Sequence, residues 1–359
     1  MMTNIKLIAA ALISTVILSS AAFAQSRSQI RVVGSSTVFP FSTAVAEEFG
    51  RVSSYKTPIV EATGTGGGFK LFCNGIGTKY PDITNASRPI KPSETALCLR
   101  KGVTEIAELK IGYDGIVLAQ KKQNAALAIT VRELYLALAS RVPAAGSAGG
   151  VDDLIENPYI YWSDINPDLP QRKISVMGPP PTSGTRDAFN ELAIQAGCKS
   201  YPNMAKLEAT NPNLFHAHCQ SIREDGVYIE AGENDNLIVQ KLLTDSDTIG
   251  IFGYSFLDQN ADMVDAVSIA TIEGQYLEPT FESISTGDYP ISRSLYIYIK
   301  KSHIGIIPGI HDFIEEFTSD RAAGELGYLA ERGLVPLLDD ERDAANLQAK
   351  QLSSLELGQ

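Results

Sequence analysis

Four short segments of the sequence combine residues that could bind an anion. Each is a loop rich in glycine or in hydroxyl side chains that leads toward a helical pattern. They are Gly34-Ser35-Ser36-Thr37, Gly64-Thr65-Gly66-Gly67-Gly68, Asn85-Ala86-Ser87-Arg88-Pro89 and Thr182-Ser183-Gly184-Thr185-Arg186. The first turn of a helix has unpaired N–H groups and a partial positive charge. Glycine lets backbone approach a ligand closely, and serine, threonine and arginine add donors that suit a tetrahedral oxyanion.

Each of these loops also has an ordinary structural interpretation. Serine and threonine before a helix commonly act as N-caps. The run Gly64-Thr65-Gly66-Gly67-Gly68 could be a flexible turn, and Arg88 and Arg186 could be surface charges. Four such loops in one chain nevertheless favour binding. A few charge-assisted hydrogen bonds, at about 1.5–3 kcal/mol each, suffice for micromolar affinity.

The elements around these loops alternate between short apolar strands and helical patterns, which predicts α/β construction. Strands are expected at 30–33, 116–118, 174–176 and 295–299. Helices are expected at 40–50, 189–197, 237–242, 310–317 and 321–357. Pro40 favours the start of the first helix, and Gly50 and Gly197 favour helix ends.

Length and charge narrow the class of protein. The chain has 359 residues, of which 44% are hydrophobic, so it can build two lobes that each bury a core. It has 30 basic and 42 acidic residues and a net charge of −12. Sequence-independent nucleic-acid binding needs a basic surface, so this class of function is excluded.

The first 24 residues have the pattern of a secretory signal peptide. Lys6 precedes an apolar run at 7–18, and Ala22-Phe23-Ala24 supplies a cleavage site before Gln25. The alternative, a transmembrane anchor, is disfavoured because the run is short and contains Ser14 and Thr15. We expect an exported protein, cleaved after Ala24 and not inserted in the membrane.

Four cysteines fit an oxidising compartment and fall into two local pairs, Cys73 with Cys98 and Cys198 with Cys219. Closing loops of this size would stabilise the protein by about 3 kcal/mol each. Pairing between the two groups would tie distant parts of the chain together. The alternative is a zinc site at Cys198, His216, His218 and Cys219, but the spacing matches no familiar zinc pattern. We therefore expect disulfides, no metal and no cofactor.

The loops belong to a longer ordered set of motifs. Its other members are Val38-Phe39-Pro40 after the first loop, Asp82-Ile83-Thr84 before the third, Ile111-Gly112-Tyr113-Asp114-Gly115-Ile116-Val117, Ile249-Gly250-Ile251-Phe252-Gly253-Tyr254 and Tyr289-Pro290-Ile291-Ser292-Arg293. The set resembles, across nearly the whole mature chain, the PstS-like periplasmic phosphate-binding proteins of ATP-binding-cassette (ABC) transporters. The resemblance implies a type II binding-protein fold, with two α/β lobes, two hinge crossovers and a central ligand cleft.

The resemblance also implies boundaries and partners. The hinges would lie near 112–116 and 289–292. Lobe one would then comprise 25–114 plus 292–359, and lobe two 115–291. The protein would be a periplasmic monomer that captures inorganic phosphate and delivers it to the membrane permease subunits of an ABC transporter.

The family's ligand contacts carry over by position. The residues implied to face the phosphate are Ser36, Thr37, the N–H of Phe39, Thr65, Ser87, Arg88, Ser183, Gly184, Thr185 and Arg186.

Two departures from the family pattern concern specificity. Ser87 stands where some members have an aspartate that accepts the proton of hydrogen phosphate, and Gly178-Pro179-Pro180-Pro181 replaces a stretch with Arg and Asp. Arg88 or Arg186 could substitute for the missing arginine. Asp114, Asp187 or Asp235 could accept the proton, although Asp235 is better interpreted as an N-terminal helix cap. Another tetrahedral oxyanion, or a phosphonate, therefore stays an alternative ligand.

Two other classes of function, an enzyme and a surface adhesin, are alternatives to a binding protein. A periplasmic phosphoesterase could use Ser183 as its nucleophile, but Pro181 replaces the first glycine of the G-x-S-x-G elbow. His216, His218 and His311 have no recognisable triad context, so we expect no enzyme. A surface adhesin would need exposed apolar patches, which a sequence does not show.

Overall fold

The computed structural model describes residues 27–232, 235–271 and 274–356. The predicted signal peptide, 1–24, lies outside the described residues. Among the described residues, no helix combines the length and the hydropathy needed to cross a membrane.

Short strands and helices alternate along the described chain. The strands are β1 (Arg31–Gly34), β2 (Ile59–Ala62), β3 (Ile83–Ala86), β4 (Ile106–Lys121), β5 (Ala128–Thr130), β6 (Arg141–Pro143), β7 (Leu154–Glu156), β8 (Val176–Gly178), β9 (Tyr228–Glu230), β10 (Ile249–Gly253), β11 (Val264–Ala266), β12 (Ser268–Ala270), β13 (Tyr276–Leu277) and β14 (Ser292–Lys300).

The helices are α1 (Phe39–Val52), α2 (Thr65–Phe72), α3 (Pro92–Arg100), α4 (Val131–Leu138), α5 (Trp162–Ile165), α6 (Gly184–Phe189), α7 (Gln195–Lys199), α8 (Pro202–Thr210), α9 (Pro212–Cys219), α10 (Asp235–Thr244), α11 (Tyr254–Gln259), α12 (Phe281–Ser285), α13 (Ile310–Thr318), α14 (Asp320–Ala323) and α15 (Asp339–Gln351). A π-helical segment, Asn190–Ile194, joins α6 to α7.

One large sheet runs through both lobes in the order β2-β1-β3-β14-β4-β10-β8-β9. In lobe one, β1 pairs in parallel with β2 and β3. In lobe two, β8 pairs in parallel with β9 and β10. The long strand β4 belongs to both, because its first part pairs with β14 and its last part pairs with β10.

The two segments predicted to be hinges lie side by side in this sheet. Asp114 on β4 is the register partner of Arg293 on β14, and the Ile116 N–H donates to the Ile291 carbonyl at 2.9 Å. The register shifts between Leu295 and Tyr296, opposite Gly112. Gly112 has a φ of +151°, and a β-carbon there would lie 2.7 Å from the Leu334 side chain. Only glycine suits this bend without strain.

Each lobe has its own hydrophobic core. In lobe one, α1 and α13 pack on the sheet through Phe49 and Phe313. In lobe two, the core gathers Trp162, Phe189 and Phe215, all fully buried. The second core also includes Val335, Leu337 and Ala345, so the C-terminal segment packs against both lobes.

The structure joins Cys73 to Cys98 and Cys198 to Cys219, so each disulfide lies within one lobe. This is the local pairing that the sequence predicts. The sulfur atoms of the second pair are therefore not free to act as zinc ligands beside His216 and His218.

The prediction of a continuous helix over 321–357 is wrong. Helix α14 ends at Ala323, an irregular stretch with one 3₁₀ turn follows, and α15 begins only at Asp339. Gly324, Gly333 and Pro336 interrupt the apolar pattern, and Gly333 adopts a left-handed φ of +102°. The helix-favouring composition of this segment, rich in Ala, Leu, Glu and Arg, therefore did not outweigh the two glycines and the proline that end a helix. By contrast, α1 over Phe39–Val52 and β14 over Ser292–Lys300 confirm the predicted helix and strand.

Candidate anion-binding site

Three of the four predicted loops meet at one edge of lobe one. Strands β1, β2 and β3 are parallel, so their carboxyl ends share that edge. Ser36 and Thr37 follow β1, Thr65 begins α2 after β2, and Ser87 follows β3. The topology of the sheet therefore brings together side chains that are up to 51 positions apart in the sequence.

These three loops pack tightly against each other. A β-carbon at Gly34 would lie 2.2 Å from the Asn85 carbonyl oxygen, and Gly34 has a φ of +131°. The Thr65 and Ser87 hydroxyls are 3.1 Å apart, and the Ser87 N–H donates to Thr65 Oγ1 at 3.2 Å. The cradle is therefore held together by contacts within the protein, which lowers the entropy cost of binding.

Lobe two contributes the fourth loop. Ser183 is the N-cap of α6, and its Oγ accepts the Thr185 N–H at 3.2 Å. Ser183 is therefore an N-cap, as the ordinary structural interpretation of this loop predicts. Its hydroxyl keeps a hydrogen that it can donate to a ligand.

The loops of the two lobes touch. Ser36 Oγ donates to Asp187 Oδ2 at 2.6 Å, and Thr37 Oγ1 lies 3.4 Å from the Gly184 carbonyl oxygen. A β-carbon added to Gly184 would lie 2.8 Å from the Ser36 carbonyl oxygen. The structure is consequently that of a closed cleft.

Two cavities flank this contact. The smaller, of about 300 Å³, is lined by Thr37, Asp114 and the Ser183-Gly184-Thr185 loop. The larger, of about 460 Å³, is lined by Ser36, Thr65 and Ser87, among others. Thr37 lines both cavities, so the predicted hydroxyl donors surround one contact point between the lobes.

Three predicted contacts lie differently from expectation. The Phe39 N–H donates to the Ser35 carbonyl at 3.0 Å, so it serves the first turn of α1. Arg88 lines the larger cavity, but Glu94 pairs with both of its terminal nitrogens at 2.8 and 2.9 Å. An anion in this cavity therefore competes with the Glu94 carboxylate for the terminal nitrogens of Arg88.

Arg186 does not line either cavity. Its guanidinium stacks on the Tyr228 ring, 4.1 Å from the ring centre, and donates to the Pro179 carbonyl at 3.1 Å. The side chain is buried. These contacts stabilise the Pro179-Pro180-Pro181 turn, and the Arg186 charge points away from the cleft.

The larger cavity is also lined by Arg293, a cation that was not among the predicted contacts. Its Nη2 donates to Thr37 Oγ1 at 2.6 Å, its Nε to Asp114 Oδ2 at 3.3 Å and its Nη1 to Glu191 Oε2 at 2.7 Å. Its side chain is only 9% exposed. The sequence places Arg293 at the end of the Tyr289-Pro290-Ile291-Ser292-Arg293 motif, just after the predicted return hinge.

The three candidate proton acceptors, Asp114, Asp187 and Asp235, each line one of the two cavities. Burial raises the pKa of Asp114, and the nearby Arg293 only partly offsets this effect. Asp187 lines the larger cavity and accepts from Ser36. Asp235 lines the smaller cavity as the first residue of α10. Asp114 is the only one of the three that is buried.

The surroundings of Ser183 do not resemble a nucleophile's. Among the described residues that line the smaller cavity, there is no histidine and no lysine to act as a general base. The Ser183 Oγ is instead engaged with the backbone of α6.

The comparisons with known proteins agree with this architecture. Residues 19–321 match the profile of the PBP superfamily domain, and the chain belongs to this superfamily. It has the two-lobed α/β fold of a binding protein.

Among its relatives is Protein SphX of Synechococcus elongatus, which is 31% identical over 312 residues, covering 87% of this chain and 78% of SphX. Another is the phosphate-binding protein PstS of Staphylococcus saprophyticus, 28% identical over 304 residues, covering 84% and 80% of the two chains. A similar solved structure is that of a possible phosphate-binding protein from Planctomyces limnophilus, with a TM-score of 0.68 and 28% identity, covering 90% of this chain and 98% of that one.

Proposed function

We propose that this chain is an exported substrate-binding protein that encloses inorganic phosphate between its lobes and delivers it to the permease subunits of an ABC transporter. The observation that carries this proposal is the meeting of hydroxyl-rich loops from both lobes beside Arg293, whose side chain is 9% exposed and donates to Thr37. The phosphate-binding relatives support the choice of phosphate.

The lobes are proposed as 25–114 plus 292–359 for lobe one and 115–291 for lobe two. The adjacent pairing of Asp114 with Arg293 supports these limits, because both changes of lobe then occur at the same level of the sheet. Lobe closure would rotate about this level.

We assign the ligand contacts to Ser36, Thr37, Thr65 and Ser87 from lobe one and to the Ser183-Gly184-Thr185 loop from lobe two. Arg293 supplies the central charge, and Arg88 lies at the edge of the larger cavity. A hydroxyl has one hydrogen to donate, so Ser36 and Thr37 turn away from Asp187 and the Gly184 carbonyl when they bind a phosphate oxygen. Closure excludes water, which strengthens the bonds to the phosphate.

Asp114 is proposed to accept the proton of hydrogen phosphate in place of the missing family aspartate. It is buried, lines the same cavity as Ser183 and Thr185, and pairs with Arg293. A carboxylate at this position can accept a hydrogen bond from HPO₄²⁻, whereas a fully ionised sulfate has no proton to donate and is repelled.

The first experiment is calorimetric titration of the chain from Gln25, freed of ligand by unfolding and refolding, with phosphate and then sulfate near pH 7. Micromolar or tighter binding of phosphate without sulfate binding supports the proposal. Asp114→Asn should then lose the discrimination between the two anions. Heat from neither anion would refute the phosphate assignment.

A substituted phosphate is the second candidate, because the larger cavity extends beyond the hydroxyl cradle to Lys91 and His216. A phosphonate that binds more tightly than phosphate in the same titration would favour this alternative. An enzymatic role predicts instead that a chromogenic phosphate ester is turned over, and that Ser183→Ala abolishes the turnover.

Export and assembly are tested separately. Sequencing the N-terminus of the protein recovered from the periplasm should give Gln25 as the first residue, and light scattering should give the mass of a monomer.

A further inference from the structure

Arg293 connects three parts of the molecule at once. Its backbone lies on the hinge strand β14, its Nη2 contacts Thr37 of lobe one, and its Nη1 contacts Glu191 of lobe two at 2.7 Å. Glu191 lies in the π-helical segment Asn190–Ile194, directly after α6. The ion pair therefore bridges the cleft beside the candidate ligand site.

The two partners of this pair differ in their surroundings. The Arg293 side chain is 9% exposed, whereas that of Glu191 is 51% exposed. Arg293 also keeps a second carboxylate, Asp114, on its Nε side. Glu191 can therefore leave the pair for water, while Arg293 stays in the cleft beside Asp114 with its Nη1 open to another anion.

The pair lies at the wall of the candidate ligand site. Arg293 and Glu191 both line the larger cavity, which Ser36, Thr65 and Ser87 line as well. A carboxylate and a phosphate are matched by the same guanidinium geometry, so they compete for the same donors.

We propose that Glu191 is an internal latch: it holds the lobes together by pairing with Arg293 in the ligand-free protein, and the bound oxyanion displaces it. This inference deepens the proposed function and rests on it for the identity of the anion. Glu191 is accordingly a positioning residue that sets both the closed fraction of the free protein and the affinity. The same contact makes the free protein more closed at low ionic strength.

The test replaces Glu191 with alanine and measures two properties. Small-angle X-ray scattering of the ligand-free protein should give a larger radius of gyration for Glu191→Ala than for the wild type, and phosphate should reverse the increase. Calorimetry should give phosphate binding that is tighter by about threefold to tenfold, because a competing carboxylate is gone.

The matched control is Asp187→Asn, which removes the same charge from the same cavity. Asp187 contacts Ser36 and not Arg293, and asparagine can still accept that hydrogen bond. An affinity gain of the same size in both variants would refute the latch in favour of a general charge effect. An unchanged radius of gyration in Glu191→Ala would also refute it.

The scattering arm needs no ligand, so it separates the two hypotheses. If the wild type binds no phosphate, the proposed function fails. The radii of gyration of the wild type and Glu191→Ala still decide whether Glu191 closes the cleft.

Discussion

Gly184 provides the sharpest test of the closed cleft. It is the first residue of α6 in lobe two and faces the loop after β1 in lobe one. In Gly184→Ala, the new β-carbon would lie 2.8 Å from the Ser36 carbonyl oxygen and 2.9 Å from Thr37 Cα. Both neighbours are backbone atoms of the other lobe, so no side chain can rotate to make room.

The size of the effect follows from these distances. Ordinary van der Waals contact begins at 3.4 Å, so the loops must separate by about 0.6 Å. The Thr37–Gly184 hydrogen bond, already 3.4 Å long, is lost, and the 2.6 Å Ser36–Asp187 bond is stretched. A neutral hydrogen bond such as Thr37–Gly184 contributes about 0.5–1.5 kcal/mol, and weakening the bond to the charged Asp187 adds to this loss. The expected effect is phosphate binding that is weaker by about tenfold.

The assay is calorimetric titration with phosphate, together with thermal unfolding. Phosphate affinity should fall in Gly184→Ala while the melting temperature stays within about two degrees of the wild type, because each core is intact. Gly77→Ala serves as the control, since a β-carbon at Gly77 has no atom within 4 Å. Wild-type affinity in Gly184→Ala would show that ligand binding does not require this approach of the lobes.

Three other perturbations have distinct expected results. Arg293→Gln should weaken phosphate binding by at least about thirtyfold, because a charge-assisted bond is lost. Arg186→Ala should chiefly lower stability in urea, because the Arg186 guanidinium stacks on Tyr228. Equal losses of affinity in the two variants would contradict these separate roles. Asp82→Asn should destabilise the fold by about 3–5 kcal/mol at pH 7 in urea unfolding, because Asp82 is buried against Arg27 and His303. Burial alone would raise the pKa of Asp82, but hydrogen bonds from His303 and Arg27 outweigh this effect and lower the pKa. The stabilisation is therefore present above the unfolded value of 3.8 and is lost as the pH falls through the folded pKa. A lower free energy of unfolding for Asp82→Asn that persists in strong acid would be evidence against this account. Reducing both disulfides should lower the melting temperature by several degrees, at about 3 kcal/mol for each closed loop, and a chelator should have no such effect if the thiols are paired.

Much of the fold and part of the site could be predicted from local patterns. The alternation of strands and helices, the loops at Ser36, Thr65 and Ser183, and the pairing within each cysteine group depend on residues close in sequence. Turn chemistry, helix caps and short disulfide loops are decided locally, so composition and spacing are sufficient to indicate them. The wrong helix over 321–357 shows the limit, since a few glycines and a proline ended it.

The charge at the site was decided only by the tertiary structure. Both arginines end a motif, but Arg186 stacks on Tyr228, whereas Arg293, 179 positions from its partner Asp114, enters the cleft. The register of two antiparallel strands places Arg293 opposite Asp114, and lobe closure adds Glu191. Register and side-chain direction depend on packing between segments that are distant in the chain, so the sequence specifies the hydroxyl loops by their own residues but leaves the choice of arginine to the assembled sheet.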